Sequence, residues 1–320
     1  MGKPHITVLK TQLVEALNLS PGDWAIDCTA GFGGHTELML DQVGSKGKVF
    51  AFDRDLTAMA YLKQRFADQL ASHNLILIQR PFADLKHITE QYALSGKISG
   101  ICADIGVSSP QLDQADRGFS LMAEGPLDMR MDQTQELSAY EVVNTFDKKD
   151  LIEIFRRFGE EPKAGLIASL ILDRRMKKPI TTTLELAELI EQNVHYKTKS
   201  RKHPATKVFQ AIRIFVNDEL NQLKSLCIDA LETLKPNGRL SIISFHSLED
   251  RIVKKTFQQL SEGLKSDPQL RRLPISEGDF NKLCNIQGRI IKPFPLMPSD
   301  SEIEENPRAR SAKLRTIEKL

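Results

Sequence analysis

Cysteine is scarce. The four present, Cys28, Cys102, Cys227 and Cys284, lie too far apart in the 320-residue chain to make a CxxC pair. That excludes a disulfide scaffold, argues against a zinc site, and fits reduced buried thiols in a cytoplasmic protein. No metal is expected. No apolar run approaches the roughly 18 residues that span a bilayer. The first segment, MGKPHITVLKTQLVEAL, lacks the apolar stretch and small-residue cleavage site of a signal peptide. The expectation is a cytoplasmic protein with no membrane association. A one-sided charge is missing too: 44 Lys plus Arg against 42 Asp plus Glu leaves +2. A histone-like polycation is thereby excluded, whereas a local basic patch is not. Repeats and low-complexity tracts are also absent. What remains is an ordinary globular balance, 41% hydrophobic and 27% charged. At roughly 150 residues per domain, the length suggests about two domains or one large elaborated one.

The first hundred residues alternate short apolar runs with helical patterns. DWAIDCTAG, Gly47–Asp53, Leu75–Ile78 and Ile98–Val107 are the runs, and Leu56–Leu70 has apolar residues at helical spacing. Apolar strands alternating with helices imply a mostly parallel α/β sheet covered on both faces. The next comparable strand is Arg239–Phe245, preceded by a helix over Glu219–Leu234 that stops at Lys235-Pro236-Asn237-Gly238. About 130 residues therefore separate the fourth strand from the fifth. A crossover needs only a dozen or more, so the excess reads as an insertion.

The insertion looks all-helical. Ser138-Ala139-Tyr140-Glu141 and Thr182-Thr183-Leu184-Glu185 have the form of capping boxes, and Asp147 suits an N-cap before Leu151, Ile154, Phe155 and Phe158. The expected division is a discontinuous outer domain, 1–114 with 206–320, around a helical insertion at 115–205 that recognises substrate. Beyond the fifth strand the pattern gives a helix, a proline-rich stretch, and a closing antiparallel strand over Ser311–Lys319.

The first strand runs into Asp27-Cys28-Thr29-Ala30-Gly31-Phe32-Gly33-Gly34-His35-Thr36. Glycines at a strand-to-helix turn let a ligand approach the backbone. A dinucleotide fingerprint fails at Thr36, and a P-loop fails for want of Gly-Lys-Ser/Thr. Both motifs serve phosphates, so a ligand without phosphates is indicated. Asp53 ends the second strand, 22 positions beyond Gly31, where a carboxylate can accept both hydroxyls of a ribose. Phe82 follows the third strand and can pack beside an adenine. Asp104 ends the fourth strand, on the edge where open α/β sheets bind ligands. Singly, a glycine-rich turn is as often structural, Asp53 is more often a helix cap, and Phe82 is more often core. Together, in strand order, they describe a nucleoside without phosphate, which S-adenosylmethionine presents.

These residues, with HITVLK, DCTAGFGGHT, AFDRD, ADIGVSSPQLDQADRGFSLMAEGPLDMRMD, HPATKVFQAIRIFVNDEL, SFHSLEDRIVK and NPRARSAKLR, span nearly the whole chain. The sequence resembles the RsmH (MraW) family of S-adenosylmethionine-dependent 16S ribosomal RNA cytosine-N4 methyltransferases. The resemblance implies a class I methyltransferase fold with an inserted helical subdomain. It also implies cofactor contacts at Gly33, Gly34, His35, Asp53, Phe82, Asp104 and Gln111. The implied substrate is one cytidine in the decoding region of 16S ribosomal RNA, within the small ribosomal subunit. A homodimer is left open.

Methyl transfer to an amino group needs near-attack geometry and an acceptor for the proton that leaves nitrogen. Amino-group methyltransferases usually carry Asp, Asn or Ser, then Pro-Pro and an aromatic, after the fourth strand. Ser109-Pro110 matches only part of that pattern. Asp104 is the first choice as catalytic acceptor, with Asp128, Asp132 and His246 as alternatives and Phe119 or Phe245 to stack on the base. A lone histidine after a strand is more often structural.

RNA-binding candidates are Lys197, Lys199, Arg201, Lys202, Lys207 and Arg213, uninterrupted by acidic residues between Val194 and Asn217. His195, Tyr196 and His203 are interleaved as stacking surfaces. The apolar stripe of the helix beginning near 206 is expected to leave Lys207 and Arg213 pointing away from the core. A charge run alone is usually a solvated face. Arg251-Lys254-Lys255 and Arg308-Arg310-Lys313-Arg315 strengthen the RNA reading. Competing readings are a methyltransferase for another amino group or a protein, an NAD oxidoreductase, and a non-catalytic RNA-binding assembly factor.

Overall fold

The structure, a computed structural model, describes residues 7–107, 109–195, 203–263, 276, 279 and 285–320. The chain divides into two compact units, Met1–Gly106 with Leu220–Leu320, and Val107–Glu219.

The outer unit is an α/β sheet of seven strands in the order β3-β2-β1-β4-β5-β7-β6. The strands are β1 (Trp24–Asp27), β2 (Lys48–Phe52), β3 (Leu75–Ile78), β4 (Ile98–Asp104), β5 (Leu234–Ser244), β6 (Gly288–Leu296) and β7 (Lys313–Lys319). β1 to β5 pair in parallel, as their near-continuous apolar runs predict. β7 returns antiparallel to β5, and β6 adds an antiparallel edge. The sequence reading did not foresee β6. Its Pro293 and Pro295 suit an edge strand, where a missing N–H costs least.

Both sheet faces are covered. α1 (Lys10–Leu17), α2 (Gly34–Val43) and α3 (Leu56–Arg65) pack Leu13, Met39 and Leu62 against one face, with Ala25, Val49 and Ile243. α4 (Ala67–Ala71) follows α3. α5 (Leu85–Gln91), α12 (Glu219–Thr233) and α13 (Ser247–Glu262) pack Ile88, Leu226 and Phe257 against the other, with Ile26, Ile101 and Ile242. Cys28, Cys102 and Cys227 are buried free thiols; Cys284 lies outside the described residues. The last helix, α14 (Asp300–Glu305), precedes β7.

The inner unit is helical: α6 (Ser109–Asp113), α7 (Ala139–Thr145), α8 (Lys148–Gly159), α9 (Ala164–Arg175), α10 (Thr183–Asn193) and α11 (Thr206–Val216). Both capping boxes form, Ser138 with Glu141 and Thr182 with Glu185, and Asp147 accepts the Asp150 N–H. The observed boundaries differ from the expected 115–205. α11 belongs to the inner unit, because Val208, Phe209 and Ile212 share a core with Leu151, Ile154 and Phe155 of α8. Among the described residues no helix is long and apolar enough to cross a membrane.

Candidate active site

The carboxyl ends of β1, β2, β4 and β5 bring the candidate residues of the outer unit to one sheet edge. Asp27 is fully buried; its two oxygens accept the Thr29 N–H (3.1 Å) and the Thr36 hydroxyl (2.6 Å). It thereby ties the end of β1 to the first turn of α2. Gly31 and Gly33 have φ of 52° and 81°, a region that glycine enters at little cost.

The glycines divide by role. A Cβ on Gly33 would lie 2.4 Å from Phe66 Cε2, and one on Gly34 would lie 1.9 Å from Thr7 Oγ1. Packing by the protein's own side chains therefore accounts for both. At Gly31 the nearest atom is the Thr29 carbonyl at 3.9 Å, so this is the glycine whose side is open. His35 is buried, with Nε2 3.2 Å from the Val8 carbonyl oxygen. Its ring faces the N-terminal segment.

Asp53 closes the turn from the β2 side. Its Oδ2 accepts the Gly31 N–H and its Oδ1 accepts the Asp55 N–H, both at 2.8 Å. Burial raises its carboxyl to about 6, partly offset by those two N–H bonds, while the Asp55 charge adds to the rise. A carboxylate oxygen can accept more than one hydrogen bond, so hydroxyl donors can still be received. Phe82 begins a short 3-10 turn (Phe82–Asp84) and is partly buried against the core beside β3.

Asp104 is the last residue of β4. Its N–H donates to Thr29 Oγ1 at 2.7 Å, and its Oδ1 is buried with no hydrogen-bond partner. Burial first, then the charges of Asp27 and Glu249, push its carboxyl up to about 8. Shifts of this size cluster at functional sites. Beside it, the Ile105 N–H bonds the Ile243 carbonyl at 3.0 Å, and Phe245 Cδ2 lies 3.6 Å from where a Cβ of Gly106 would stand.

His246 is the N-cap of α13. Its Nδ1 accepts the Glu249 N–H at 3.4 Å, and Glu249 Oε2 accepts the N–H groups of Phe245 (2.8 Å) and His246 (3.2 Å). A structural task is thus visible for His246. The sequence reading missed Thr29 and Glu249. The His-Ser-Leu-Glu pattern, a capping box with histidine at the cap, was the available signal for Glu249.

In the inner unit, Gln111 is buried on α6 and Phe119 lies in the core. The side chains of Ser109 and Pro110, and all of Ser108, lie outside what is described. Asp128 is held by Arg130 through both oxygens at 2.8 Å, and this pairing keeps its carboxyl low against the opposing effect of burial. Asp132 accepts the N–H and hydroxyl of Thr134. Both alternative acceptors are therefore engaged locally.

Of the basic candidates, Lys197, Lys199, Arg201 and Lys202 lie outside the described residues, as does Tyr196. Lys207 Nζ donates to the Glu160 carbonyl at 2.8 Å. Arg213 does not point away as expected: its Nε and Nη2 donate to the two oxygens of Glu219, each at 2.8 Å, and Glu219 is only 4% exposed. A buried carboxylate needs that partner, so Arg213 has a structural task in its own unit. His203 Nδ1 accepts the Ala205 N–H, and its Nε2 is 3.5 Å from Glu191.

The chain is 42% identical over 317 residues to the Ribosomal RNA small subunit methyltransferase H of Brevibacillus brevis, covering 99% of this chain and 98% of that protein. Solved structures resemble it more remotely. A methyltransferase homolog protein from Pyrococcus horikoshii matches at 13% identity and a TM-score of 0.44, over 99% of this chain and 68% of that one. A SAM-dependent O-methyltransferase from Thermotoga maritima matches at 10% identity and a TM-score of 0.42, over 100% and 68%. The family model described as the MraW methylase family matches residues 2–320, and the chain belongs to that family.

Proposed function

We propose that this protein methylates N4 of one cytidine in the decoding region of 16S ribosomal RNA, using S-adenosylmethionine, and acts in the cytoplasm on RNA within the small ribosomal subunit. Membership of the MraW methylase family and the small-subunit relative support the reaction class. The observation that carries the site assignment is the buried, unpartnered Oδ1 of Asp104, on the same edge as Gly31 and Asp53.

The residues present fit the cofactor. Asp53 has acceptor capacity for ribose hydroxyls, Gly31 leaves its side open, and Phe82 offers a partly exposed ring after β3. Asp104 Oδ1 is an orphan that a ligand donor would satisfy. With Gly33 and Gly34 accounted for by packing, their contribution and that of His35 would be through the backbone of the turn. Gln111 stays a candidate contact on the family resemblance alone. When bound, the cofactor supplies a methyl group on a positively charged sulfur.

The protein's task is then alignment and proton management. Forming the N–C bond would be balanced by loss of the sulfonium S–C bond, and the residues of this chain would have to receive the one amino proton that leaves. Asp104, in its ionised form, would accept a hydrogen bond from the amino group, favouring pyramidal nitrogen, and then hold the released proton. Its elevated carboxyl suits a proton acceptor working near neutral pH. His246 is the second candidate for that proton. Lys197, Lys199, Arg201, Lys202 and Lys207 would hold RNA phosphates. Extrusion of the target base is expected where N4 is paired.

Mass mapping of modified nucleosides in small-subunit ribosomal RNA from cells lacking the gene tests the proposal. Loss of N4-methylcytidine, restored by the wild-type gene, is the expected result. An unchanged level of that nucleoside overturns it.

A further inference from the structure

Glu249 lies in the SFHSLEDRIVK segment with no role assigned from sequence, yet it is among the most enclosed charged groups in the outer unit. Its relative exposure is 0%. One oxygen, Oε2, accepts two successive backbone N–H groups, those of Phe245 and His246. The other, Oε1, lies 2.9 Å from His246 Nε2 without hydrogen-bond alignment and has no other partner. Since His246 Nδ1 accepts the Glu249 N–H, a neutral imidazole carries its proton on Nε2, facing that oxygen. Carboxylate and imidazole thus brace each other across the first turn of α13. The braced backbone leads directly from the part of β5 that pairs with β4: Asp104 is opposite Ile243, and the Phe245 ring lies over Gly106.

A capping box alone does not require its N3 carboxylate to be fully buried: Glu141 and Glu185, the N3 partners of the other two boxes, stay partly exposed, at lower desolvation cost. We propose that Glu249 is a positioning residue for methyl transfer, fixing the Phe245–His246 wall beside the end of β4 and presenting a buried negative charge toward Asp104. This rests on the reading of Asp104 as the proton-accepting group. The charged groups that act on Asp104 are Asp27 on β1 and Glu249 on α13, and both disfavour its ionised form. Removing only the Glu249 charge should therefore let Asp104 ionise at lower pH.

The test uses Glu249→Gln and Glu249→Ala in the full chain. Glutamine keeps one oxygen for the two N–H groups and loses the charge; alanine loses both. Expected for Glu249→Gln are a melting temperature close to wild type, S-adenosylmethionine affinity within about twofold, little change in KM for RNA, and a kcat–pH profile whose acidic limb moves to lower pH. The Asp104 carboxyl, followed by carbon NMR in the free protein, should titrate at lower pH than in wild type. Glu249→Ala should lose stability as well. An unmoved Asp104 titration together with a wild-type kcat–pH profile in Glu249→Gln overturns the proposal and leaves Glu249 a plain capping-box residue. The NMR measurement requires no turnover. A shifted titration in a protein that never methylates RNA would count against the proposed function while leaving the Glu249–Asp104 coupling intact.

Discussion

Asp104→Asn should stabilise the protein, and increasingly so as pH rises. The substitution keeps the size of the side chain and an oxygen acceptor but removes the ionisable group. In wild type, burial together with Asp27 and Glu249 lifts the carboxyl from 3.8 to about 8. At about 1.4 kcal/mol per pKa unit, roughly four units set a ceiling of about 5–6 kcal/mol on the cost of ionising it in the folded state. Water entry and local relaxation reduce such penalties, so a gain of about 2–3 kcal/mol is expected. The folded-state carboxyl is raised, so the wild-type protein is relatively most stable below the unfolded value near 3.8. It loses stability as pH climbs through the folded value near 8. Asparagine has no such loss. The melting-temperature gap between Asp104→Asn and wild type should therefore be small near pH 4, widen with pH, and level off above about pH 8. At about 2–3 °C per kcal/mol for a chain of this size, the plateau is roughly 4–9 °C. Differential scanning fluorimetry of both proteins from pH 4 to 9 measures it, because other titrations largely cancel in the difference. A gap that is flat with pH, or that closes as pH rises, refutes the assignment of Asp104 as a destabilised buried acid.

Gly34→Ala should destabilise by about 2 kcal/mol, since its Cβ would meet Thr7 Oγ1 at 1.9 Å, and Thr7→Gly in the same chain should recover part of the loss in a double-mutant thermal cycle. A neutral Gly34→Ala would show that this glycine is not explained by packing. Arg213→Ala should cost about 3 kcal/mol by stranding Glu219, with the salt dependence of RNA binding unchanged. If filter binding instead finds a salt slope reduced by about one, Arg213 meets a phosphate after all.

The sheet was readable because parallel strands covered on both faces are largely apolar, as Leu75–Ile78 is throughout. The helical starts at Ser138, Asp147 and Thr182 were readable because caps are local chemistry. β6 was not readable: Gly288–Leu296 contains two prolines and mostly half-exposed positions, and only its edge location makes it a strand. The inner unit's boundary was missed for a related reason. The stripe on α11 shows that the helix has an apolar face, but not that α8 covers it. The placement of Asp53 and Asp104 at the carboxyl ends of β2 and β4 was legible because the apolar runs mark where those strands stop. The reason for Gly33 and Gly34 was not, since Phe66 and Thr7 become their neighbours only on folding. The direction of the Arg213 side chain was not legible, because a run of like charges gives no hint of Glu219 waiting beyond the end of the helix.

Helix caps and strand ends differ in how they satisfy their polar groups. In the helical unit, Ser138 and Glu141, and likewise Thr182 and Glu185, exchange hydrogen bonds reciprocally, and Glu185 is drawn down to about 2 by the backbone and side chain of Thr181 and their neighbours. At the ends of β4 and β5, a related His-x-x-Glu cap leaves His246 Nε2 and Glu249 Oε1 without hydrogen bonds, and Ser244 Oγ and Asp104 Oδ1 are buried and unpartnered nearby in the chain pairing. Unpartnered buried atoms occur in both units, Glu161 Oε2 among them, but Asp104 Oδ1 and Ser244 Oγ fall at the ends of adjacent strands, and such a pair carries a local desolvation cost. Such a cost persists where a ligand or a transition state offsets it, since local rules fail first at functional sites. The stability gained by Asp104→Asn should thus be accompanied by lost methyl transfer, because the unfavourable charge and the proton acceptor are the same carboxylate.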